Sequence, residues 1–343
     1  MGRRKLHELL TGSCKLPRTL SDDGTSKPPE PAPAKLSPRA TLSRWLFLAV
    51  PAVALVELTA HLVQSHGAVP ESDWQAAKTM VAQKIRPDDL LLFAPKWADP
   101  VGRAQFGDGL ASLQRTARPD ETRFPRAIEV GLRGRHRPEL QGWKKLDEER
   151  VGRLVVATYE NPSPARILDD LLLRVAPGKM SVYRVDDGKE TPCTFVRGRP
   201  QAGGLGAGPA LPADRFTCDA SYVGLTVIHS LDHDPRLCLI APPFGGATAL
   251  RVRFHGVRFG AALHGHHGLQ NEAERDKSGA PVVLVFRTEH GGILGRAEHK
   301  DGTGWVGFEF DTGELKGKAV DLTAEITAAN ASRRHYCFEA DTR

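Results

Sequence analysis

Hydrophobic and polar residues alternate along much of the C-terminal half of this chain. The clearest example is ALRVRFHGVRF, in which Leu250, Val252 and Phe254 alternate with arginine and histidine. PVVLVFRT is a continuous apolar run, and VDLTAEITA alternates again. A period of two is typical of β-strands, and turn-forming strings such as DGTG and DTGELKG separate these runs. The pattern predicts an antiparallel β-sandwich, resembling a jelly roll, over residues 165–343.

A helical period replaces the alternation in residues 71–160. ESDWQAAKTMVAQKI begins with acids and spaces its apolar residues at helical intervals, then leads through RPDD into the apolar LLLFAP. RAIEVGL (126–132) and RLVVATYE (153–160) are further strand candidates, and residues 100–113 are a candidate short helix. We therefore predict a small α/β unit ahead of the sandwich, and an α+β fold overall.

The longest apolar run lies nearer the N-terminus. From Trp45 to Val63 the chain has 19 residues with one acid, which span roughly 28 Å as a helix and match the ~30 Å hydrocarbon core of a bilayer. A cleaved signal peptide is the alternative, but its apolar region is usually about 7 to 15 residues long. We predict a single transmembrane helix over residues 44–64 and a disordered, basic and proline-rich tail over residues 1–43.

Charge divides at this apolar run. Residues 1–44 carry nine Lys or Arg against four acids, and residues 45–343 carry 38 against 37. A nucleic-acid binder concentrates positive charge on its folded part, so nucleic acid is not expected as a partner. Because positive charge flanks the N-terminal side of the span, we expect a cytoplasmic N-terminus and an extracytoplasmic C-terminal domain, periplasmic in a bacterium.

The acid inside the predicted span is Glu57, and His61 lies one turn further along the same helical face. A charged side chain at the centre of a bilayer costs about 2.5 to 3.5 kcal/mol on insertion scales. Two interpretations follow. Glu57 is either protonated and directed to the interface, or it contacts a partner protein in the membrane.

The cysteines also divide at the span. Cys14 precedes it, while Cys193, Cys218, Cys238 and Cys337 follow it, where disulfides persist outside the cytoplasm. Three pairings are possible. We favour the first two together, flanking a glycine-rich string, and the last two together, because RLCLI and HYCFE would be the first and last strands of a closed sandwich. A zinc site is the alternative, but no CxxC is present, and we expect neither a metal nor a cofactor.

Histidines are concentrated in FGAALHGHHGLQ, which lies between two strand candidates and is interpreted as a loop. A second loop, AEHKDGTGW, adds a histidine, a carboxylate and an indole ring suited to a sugar and its hydroxyl groups. The alternatives are structural histidines and a tryptophan in the core. The predicted ligand-binding residues are His264, His267, His299, Asp301 and Trp305.

Two segments resemble known families. The order of apolar anchor, tryptophan-bearing helix and RPDDLLLFAPKW, over about residues 71–100, resembles the extracytoplasmic part of bacterial family 39 glycosyltransferases. The closing pattern, GWVGFEFDTGELKGKAVDLTAEITAANASRRHYCFEA, resembles the last strands of carbohydrate-binding modules. The first resemblance implies a role accessory to a membrane glycosyltransferase system, and the second implies glycan contact.

Motifs of known enzymes are missing from the sequence: it contains no GxSxG, HExxH or GxxxxGK[ST]. Our first hypothesis is a single-pass envelope protein whose sandwich binds glycan or a protein partner. The alternative is an extracytoplasmic hydrolase or transferase with an unrecognised site in the α/β unit. No catalytic residue is assigned from the sequence.

Overall fold

The computed structural model describes five stretches of the chain: residues 38–117, 120–199, 211–232, 234–289 and 292–343. The predicted tail up to residue 37, Cys14 and the glycine-rich string at 203–209 lie outside the described residues. The chain divides into two compact units, Met1–Ala68 and Val69–Arg343.

Helix α1 (Pro38–Gly67) belongs to the first unit and contains the apolar run, with Pro51 inside it. Its described side chains, residues 48 to 62, are all exposed, including the apolar ones. Counting the described residues alone, no helix combines the length and the apolar character needed to cross a bilayer.

The second unit begins with the predicted α/β elements. They are α2 (Glu71–Lys84), β1 (Asp89–Ala94), α3 (Asp99–Phe106), α4 (Leu113–Thr116), β2 (Arg126–Leu132), β3 (Lys144–Val151) and β4 (Leu154–Glu160). The first helix and the three predicted strands are confirmed. Strand β3 was not predicted, because its sequence KKLDEERV is charged and seven of its eight residues are exposed.

These strands form a four-stranded sheet, called sheet A, in the order β1-β2-β4-β3, with β1 and β2 parallel and the other pairs antiparallel. Trp74 and Val81 of α2 pack on one face of the sheet against Phe93 and Ile128. Helical spacing places both α2 residues on one side of the helix, so the amphipathic pattern of α2 buries this face.

The rest of the second unit is almost entirely β. Its elements are β5 (Asp169–Asp170), β6 (Met180–Asp186), β7 (Lys189–Pro192), β8 (Thr194–Arg197), β9 (Asp214–Cys218), β10 (Ser221–His229), β11 (Pro235–Ile240), β12 (Ala249–Arg258), β13 (Ala262–Leu269), α5 (Asn271–Arg275), β14 (Val282–Thr288), β15 (Ile293–His299), β16 (Val306–Asp311), β17 (Ala319–Ala328) and β18 (Tyr336–Thr342).

Two sheets form the predicted β-sandwich. Sheet B has the order β16-β13-β18-β11-β10-β9-β8, with β5 beside β18, and sheet C has the order β15-β14-β17-β12-β6-β7. Val252 and Phe254 of β12 meet Phe286 of β14 and Phe338 of β18 in one buried core. The period-two pattern therefore places the apolar side chains between the sheets, and the α+β class is confirmed.

Two loop predictions are wrong in part. AEHKDGTGW begins inside strand β15, so His299 is a strand residue. FGAALHGHHGLQ contains strand β13, which lies inside sheet B between β16 and β18. Its glycines allow this close packing: a Cβ at Gly265 would lie 2.2 Å from the backbone oxygen of Glu339, and one at Gly268 would lie 2.9 Å from the Trp305 ring. Glycine inside a strand commonly marks such a close approach.

Both predicted disulfides are confirmed. Cys193 is bonded to Cys218, and Cys238 is bonded to Cys337. The second bridge joins the neighbouring strands β11 and β18, where Leu239 lies opposite Phe338 in the register. Strand β18 is the last strand, as predicted, but β11 is not the first, because β5 to β10 precede it.

Candidate functional site

Two of the predicted ligand-binding residues lie in the interior. His267 and His299 are 2% and 1% exposed. His267 Nδ1 is 2.8 Å from the hydroxyl of Tyr336, and His299 Nε2 is 2.7 Å from a carboxylate oxygen of Glu274. Burial, together with the charge of the neighbouring His299 and His266, lowers the pKa of His267 to about 3. These histidines therefore hydrogen-bond within the protein core.

The other three predicted residues are closer to the surface. The rings of His264 and His266 lie 5.1 Å apart, on the face of sheet B opposite to that of His267. Half-buried Trp305 stacks on His266, with the ring centroids 6.1 Å apart. Asp301 instead pairs with the buried Arg334 at 3.3 Å. His264 and Trp305 thus both contact His266. The five predicted residues do not share one surface.

His264 belongs to a cluster of three side chains that could act as metal ligands. Ligand atoms of Asp120, His264 and Asp341 all lie within 4.8 Å of one another. The guanidinium group of Arg343 contacts both carboxylates, with 2.7 Å to Asp341. Burial and the positive charge of Arg343 lower the pKa of His264. Because Arg343 supplies the cation for both carboxylates, we assign no metal to this group.

A groove of about 650 Å³ crosses the outward face of sheet C. It brings together three guanidinium groups, three carboxylates and two threonine hydroxyls, so it contains both hydrogen-bond donors and acceptors, and the formal charges of the lining groups balance. The lining residues are Arg251, Arg253, Arg287, Thr288, Glu289, Asp321, Thr323 and Glu325.

Strand register explains why these side chains meet. Arg253 of β12 lies opposite Thr323 of β17, which lies opposite Arg287 of β14. In the neighbouring row, Arg251 lies opposite Glu325. Alternate residues of a strand point to opposite faces. Val252 and Phe254 of β12 therefore enter the core, while Arg251 and Arg253 point outward.

Ion pairs hold the arginines of the groove in place. Arg251 contacts both Glu325 and Glu190, each at 2.6 Å. Arg253 contacts Glu190 at 3.0 Å, and its guanidinium carbon lies 5.0 Å from the ring centroid of Tyr183. Tyr183 adds an aromatic surface to this charged face of the sheet.

A hydrogen-bonded chain of three side chains lies on the same face. The Oγ of Ser181 is 2.7 Å from Nε2 of His255, and Nδ1 of His255 is 2.8 Å from Oδ2 of Asp321. The other oxygen of Asp321 accepts the backbone N–H of Gly256 at 2.9 Å. Burial alone raises the pKa of Asp321, but the hydrogen bonds from Gly256 and His255 bring it below its usual value.

A β-bulge shapes this arrangement. The register between β12 and β17 shifts between Phe254 and Val257, so His255 and Gly256 together oppose Asp321. Gly256 has φ of +59°, a left-handed conformation that glycine adopts without steric cost. The bulge turns the Gly256 N–H toward the carboxylate of Asp321.

The sequence pattern identified part of this site but not its function. Arg251, Arg253 and His255 were predicted as outward polar positions of one strand, and Asp321 as an outward position of another. Nothing in GKMSVYR singled out Ser181. The available signal was the repeated placement of polar residues on the solvent face of neighbouring strands, but their register is not written in local sequence.

Comparison with known proteins assigns neither a family nor a function to this chain. No protein-family model and no curated protein matches this sequence, so the resemblance to family 39 glycosyltransferases gains no support. Among solved structures, the chain is similar to the CBM51-2 and INT domains of Clostridium perfringens ZmpB in complex with GlcNAc, at 10% identity and a TM-score of 0.27, covering 52% of this chain and 40% of that one.

Two further similar structures are single carbohydrate-binding modules. TmCBM27, described for specific mannan recognition, has 8% identity and a TM-score of 0.24, covering 35% of this chain and 81% of its own. TmCBM61, in complex with β-1,4-galactotriose, has 10% identity and a TM-score of 0.23, covering 34% and 77%. This chain spans only 40% of the ZmpB structure. At these scores no function is transferred, and the site is interpreted from its own residues.

Proposed function

We propose that the β-sandwich binds a neutral glycan in the groove on sheet C. The balanced lining carries this proposal, because it offers three guanidinium groups and three carboxylates in one groove. Guanidinium groups donate hydrogen bonds and carboxylates accept them, while a sugar hydroxyl does both. The absence of a net charge among these lining groups gives no preference for an anionic polymer.

Fixed side chains favour such binding. Arg251 is held between Glu190 and Glu325, and Arg253 is held between Glu190 and the ring of Tyr183. Side chains that are already ordered lose less conformational entropy when a ligand binds. Tyr183 also presents an aromatic ring, which suits the apolar face of a sugar.

We also propose that helix α1 anchors the sandwich to a membrane, with the N-terminus in the cytoplasm and the sandwich outside. The apolar run from Trp45 to Val63 and the basic residues before it support this orientation. Val50, Leu55 and Val56 point to different sides of α1 and are all more than 60% exposed, a pattern typical of a helix surrounded by lipid. The two disulfides fit an extracytoplasmic location.

A membrane partner is a further part of this proposal. Glu57 is exposed on α1 one turn before His61, and a polar group of a second membrane helix would reduce the cost of placing it in lipid. The resemblance of residues 71–100 points to a membrane glycosyltransferase system as that partner. Co-purification in detergent should be lost on Glu57→Leu and retained by the exposed control Thr59→Val, and equal recovery with both variants would contradict the contact.

A glycan array tests binding in the groove, using the full chain in detergent. Arg287→Ala should weaken retention of neutral glycans at least about tenfold, because a hydrogen bond to a charged group contributes roughly 1.5 to 3 kcal/mol. Tyr183→Ala should weaken retention by removing the aromatic surface.

The matched control is Arg296→Ala. Arg296 lies on β15 of the same sheet, opposite Val285, and its side chain is 61% exposed but does not line the groove. It should bind as the wild type does. A wild type that retains no neutral glycan, or equal losses in Arg287→Ala and Arg296→Ala, would contradict the proposal.

A further inference from the structure

We infer that Ser181, His255 and Asp321 form a catalytic triad that hydrolyses an acyl ester. These residues lie on the β-sandwich and not in the α/β unit, where the hydrolase alternative was expected. The inference rests on the proposed function for one detail only, namely that the ester is an acyl substituent on a hydroxyl of the glycan bound in the groove.

Each member of the triad has the contact its role requires. A nucleophilic serine needs a base within hydrogen-bond reach, and the base needs a third group that orients it. Ser181 Oγ lies 2.7 Å from His255 Nε2, and Asp321 Oδ2 lies 2.8 Å from His255 Nδ1. Triads recur on unrelated folds and are recognised by geometry and roles rather than by sequence position, so the missing GxSxG does not decide the matter.

The carboxylate contacts set the tautomer of His255. Asp321 accepts from the Gly256 N–H with one oxygen and faces His255 Nδ1 with the other. An ionised carboxylate can only accept, so Nδ1 carries the proton and donates it to Asp321. In the neutral imidazole, Nε2 then has its lone pair directed at the hydroxyl of Ser181, which is the state that a general base requires.

The β-bulge in β12 supports an active site here independently of the hydrogen bonds. His255 and Gly256 oppose Asp321 together, and Gly256 adopts a left-handed conformation there. Bulges interrupt the regular ladder and are enriched next to active sites, where they re-aim a side chain. Here the bulge both re-aims His255 and frees the N–H that holds Asp321.

The triad also adjoins the groove. Asp321 lines it, and Arg253, which lies directly opposite Ser181 on the neighbouring strand, lines it as well. Ser181, His255 and Asp321 are all partly exposed, so an ester on a ligand in the groove can reach the hydroxyl. Arg253 has five N–H donors, and we assign it the role of donor to the oxyanion.

The reaction balances without a further co-reactant except water. Ser181 Oγ bonds to the carbonyl carbon of the ester as its proton passes to His255 Nε2, giving a tetrahedral oxyanion. The carbon–oxygen bond to the sugar then breaks, and the sugar oxygen takes the proton from Nε2. Water, deprotonated by Nε2, attacks the acyl-serine, and the carboxylic acid leaves as Oγ regains its proton.

Covalent labelling with a fluorophosphonate tests the nucleophile in the full chain, purified in detergent. The Oγ of an activated serine displaces fluoride and forms a serine–phosphorus bond that peptide mass spectrometry locates. We expect labelling at Ser181 that disappears in Ser181→Ala. The matched control is Ser163→Ala, which removes an exposed serine that precedes Ser181 by 18 residues and lies outside the strands, and which should label as the wild type does.

The roles of the other two residues are tested with the same probe and with p-nitrophenyl acetate. His255→Gln should abolish labelling. Asp321→Asn should slow labelling by at least about a hundredfold. In serine triads, loss of the orienting carboxylate lowers kcat by up to roughly ten-thousandfold. Circular dichroism melts should show that Ser181→Ala and Asp321→Asn remain folded.

Two results would overturn the inference: a wild type that is not labelled at Ser181, or ester hydrolysis that is the same in the wild type and in Ser181→Ala. Neither readout contains a glycan, so their failure is separate from a failure of glycan binding. Glycan retention is measured separately, on the wild type and on the control Arg296→Ala. Conversely, absence of glycan retention with intact labelling would contradict the groove proposal and leave the esterase.

Discussion

The guanidinium group of Arg137 lies 2.6 Å from the carboxylate of Asp234, and neither side chain is exposed to solvent. Arg137 follows β2 of sheet A, and Asp234 directly precedes β11 of sheet B. Lys96 and Arg236 also approach Asp234, at 3.7 and 3.5 Å, and Glu139 pairs with Arg137 at 3.2 Å. A buried ionic network therefore joins the α/β part of the second unit to the sandwich.

Arg137→Ala should destabilise the protein strongly. Removal of one member of a buried ion pair leaves a charge without compensation and costs about 3 to 5 kcal/mol. Urea unfolding followed by tryptophan fluorescence measures the change. The control is Lys144→Ala, whose side chain is 71% exposed and pairs with Glu160 at 3.7 Å, and which should cost less than about 1 kcal/mol. Equal effects would show that the buried pair does not stabilise the unit.

The buried His267 predicts a specific loss of stability in acid. Its pKa is about 3 in the folded protein, against 6.5 as the ordinary value, so the unfolded chain binds a proton more readily between these values. The contribution of the neutral imidazole is present above about pH 6.5 and is lost as the pH falls toward 3. His267→Asn keeps a hydrogen-bonding group near Tyr336 and should unfold with a shallower pH dependence over this range. An unchanged slope would contradict the assignment.

The two disulfides should differ in their contribution to stability. They close loops of 25 and 99 residues, for which chain entropy predicts about 3.5 and about 4.7 kcal/mol. Replacement of both Cys238 and Cys337 by alanine should therefore lower the urea midpoint more than the same change at Cys193 and Cys218. The reverse order of midpoints would show that loop length does not dominate.

Trp305→Ala distinguishes two candidate glycan sites: the surface around His264 and Trp305 that the sequence predicted, and the groove on sheet C. Trp305 is half-buried, stacks on His266 and packs beside the Cys238–Cys337 bridge. Its removal should destabilise the fold by less than the roughly 3 to 5 kcal/mol that a fully buried tryptophan costs, and glycan retention by the folded protein should not change. If Trp305→Ala or His264→Ala abolishes retention at an unchanged melting temperature, the glycan site lies on sheet B.

Reporter fusions test the orientation of the membrane anchor. Alkaline phosphatase is active only where its disulfides form, outside the cytoplasm. In a bacterial host, a fusion after Arg343 should be active and a fusion after Ala40 inactive, because the basic residues before Trp45 are retained in the cytoplasm. The opposite activities would reverse the proposed topology.

The sequence alone determined the elements with strong local patterns. Alternation placed Val252 and Phe254 in the core and Arg253 outside. Of three possible cysteine pairings, the sequence favoured the two that the structure contains. These inferences succeed because a strand turns successive side chains to opposite faces wherever it lies in a sheet. Strand β3 was missed because its exposed, charged residues carry no such alternation.

Only the tertiary structure decided which side chains meet. Ser181 and His255 are 74 residues apart, and His255 and Asp321 are 66 apart, so their contacts depend on the order and register of three strands. The bulge at Gly256 and the burial of His267 depend in the same way on neighbouring strands. Local periodicity specifies the face of a strand, but register follows from packing of the whole sandwich, and the candidate site depends on that register.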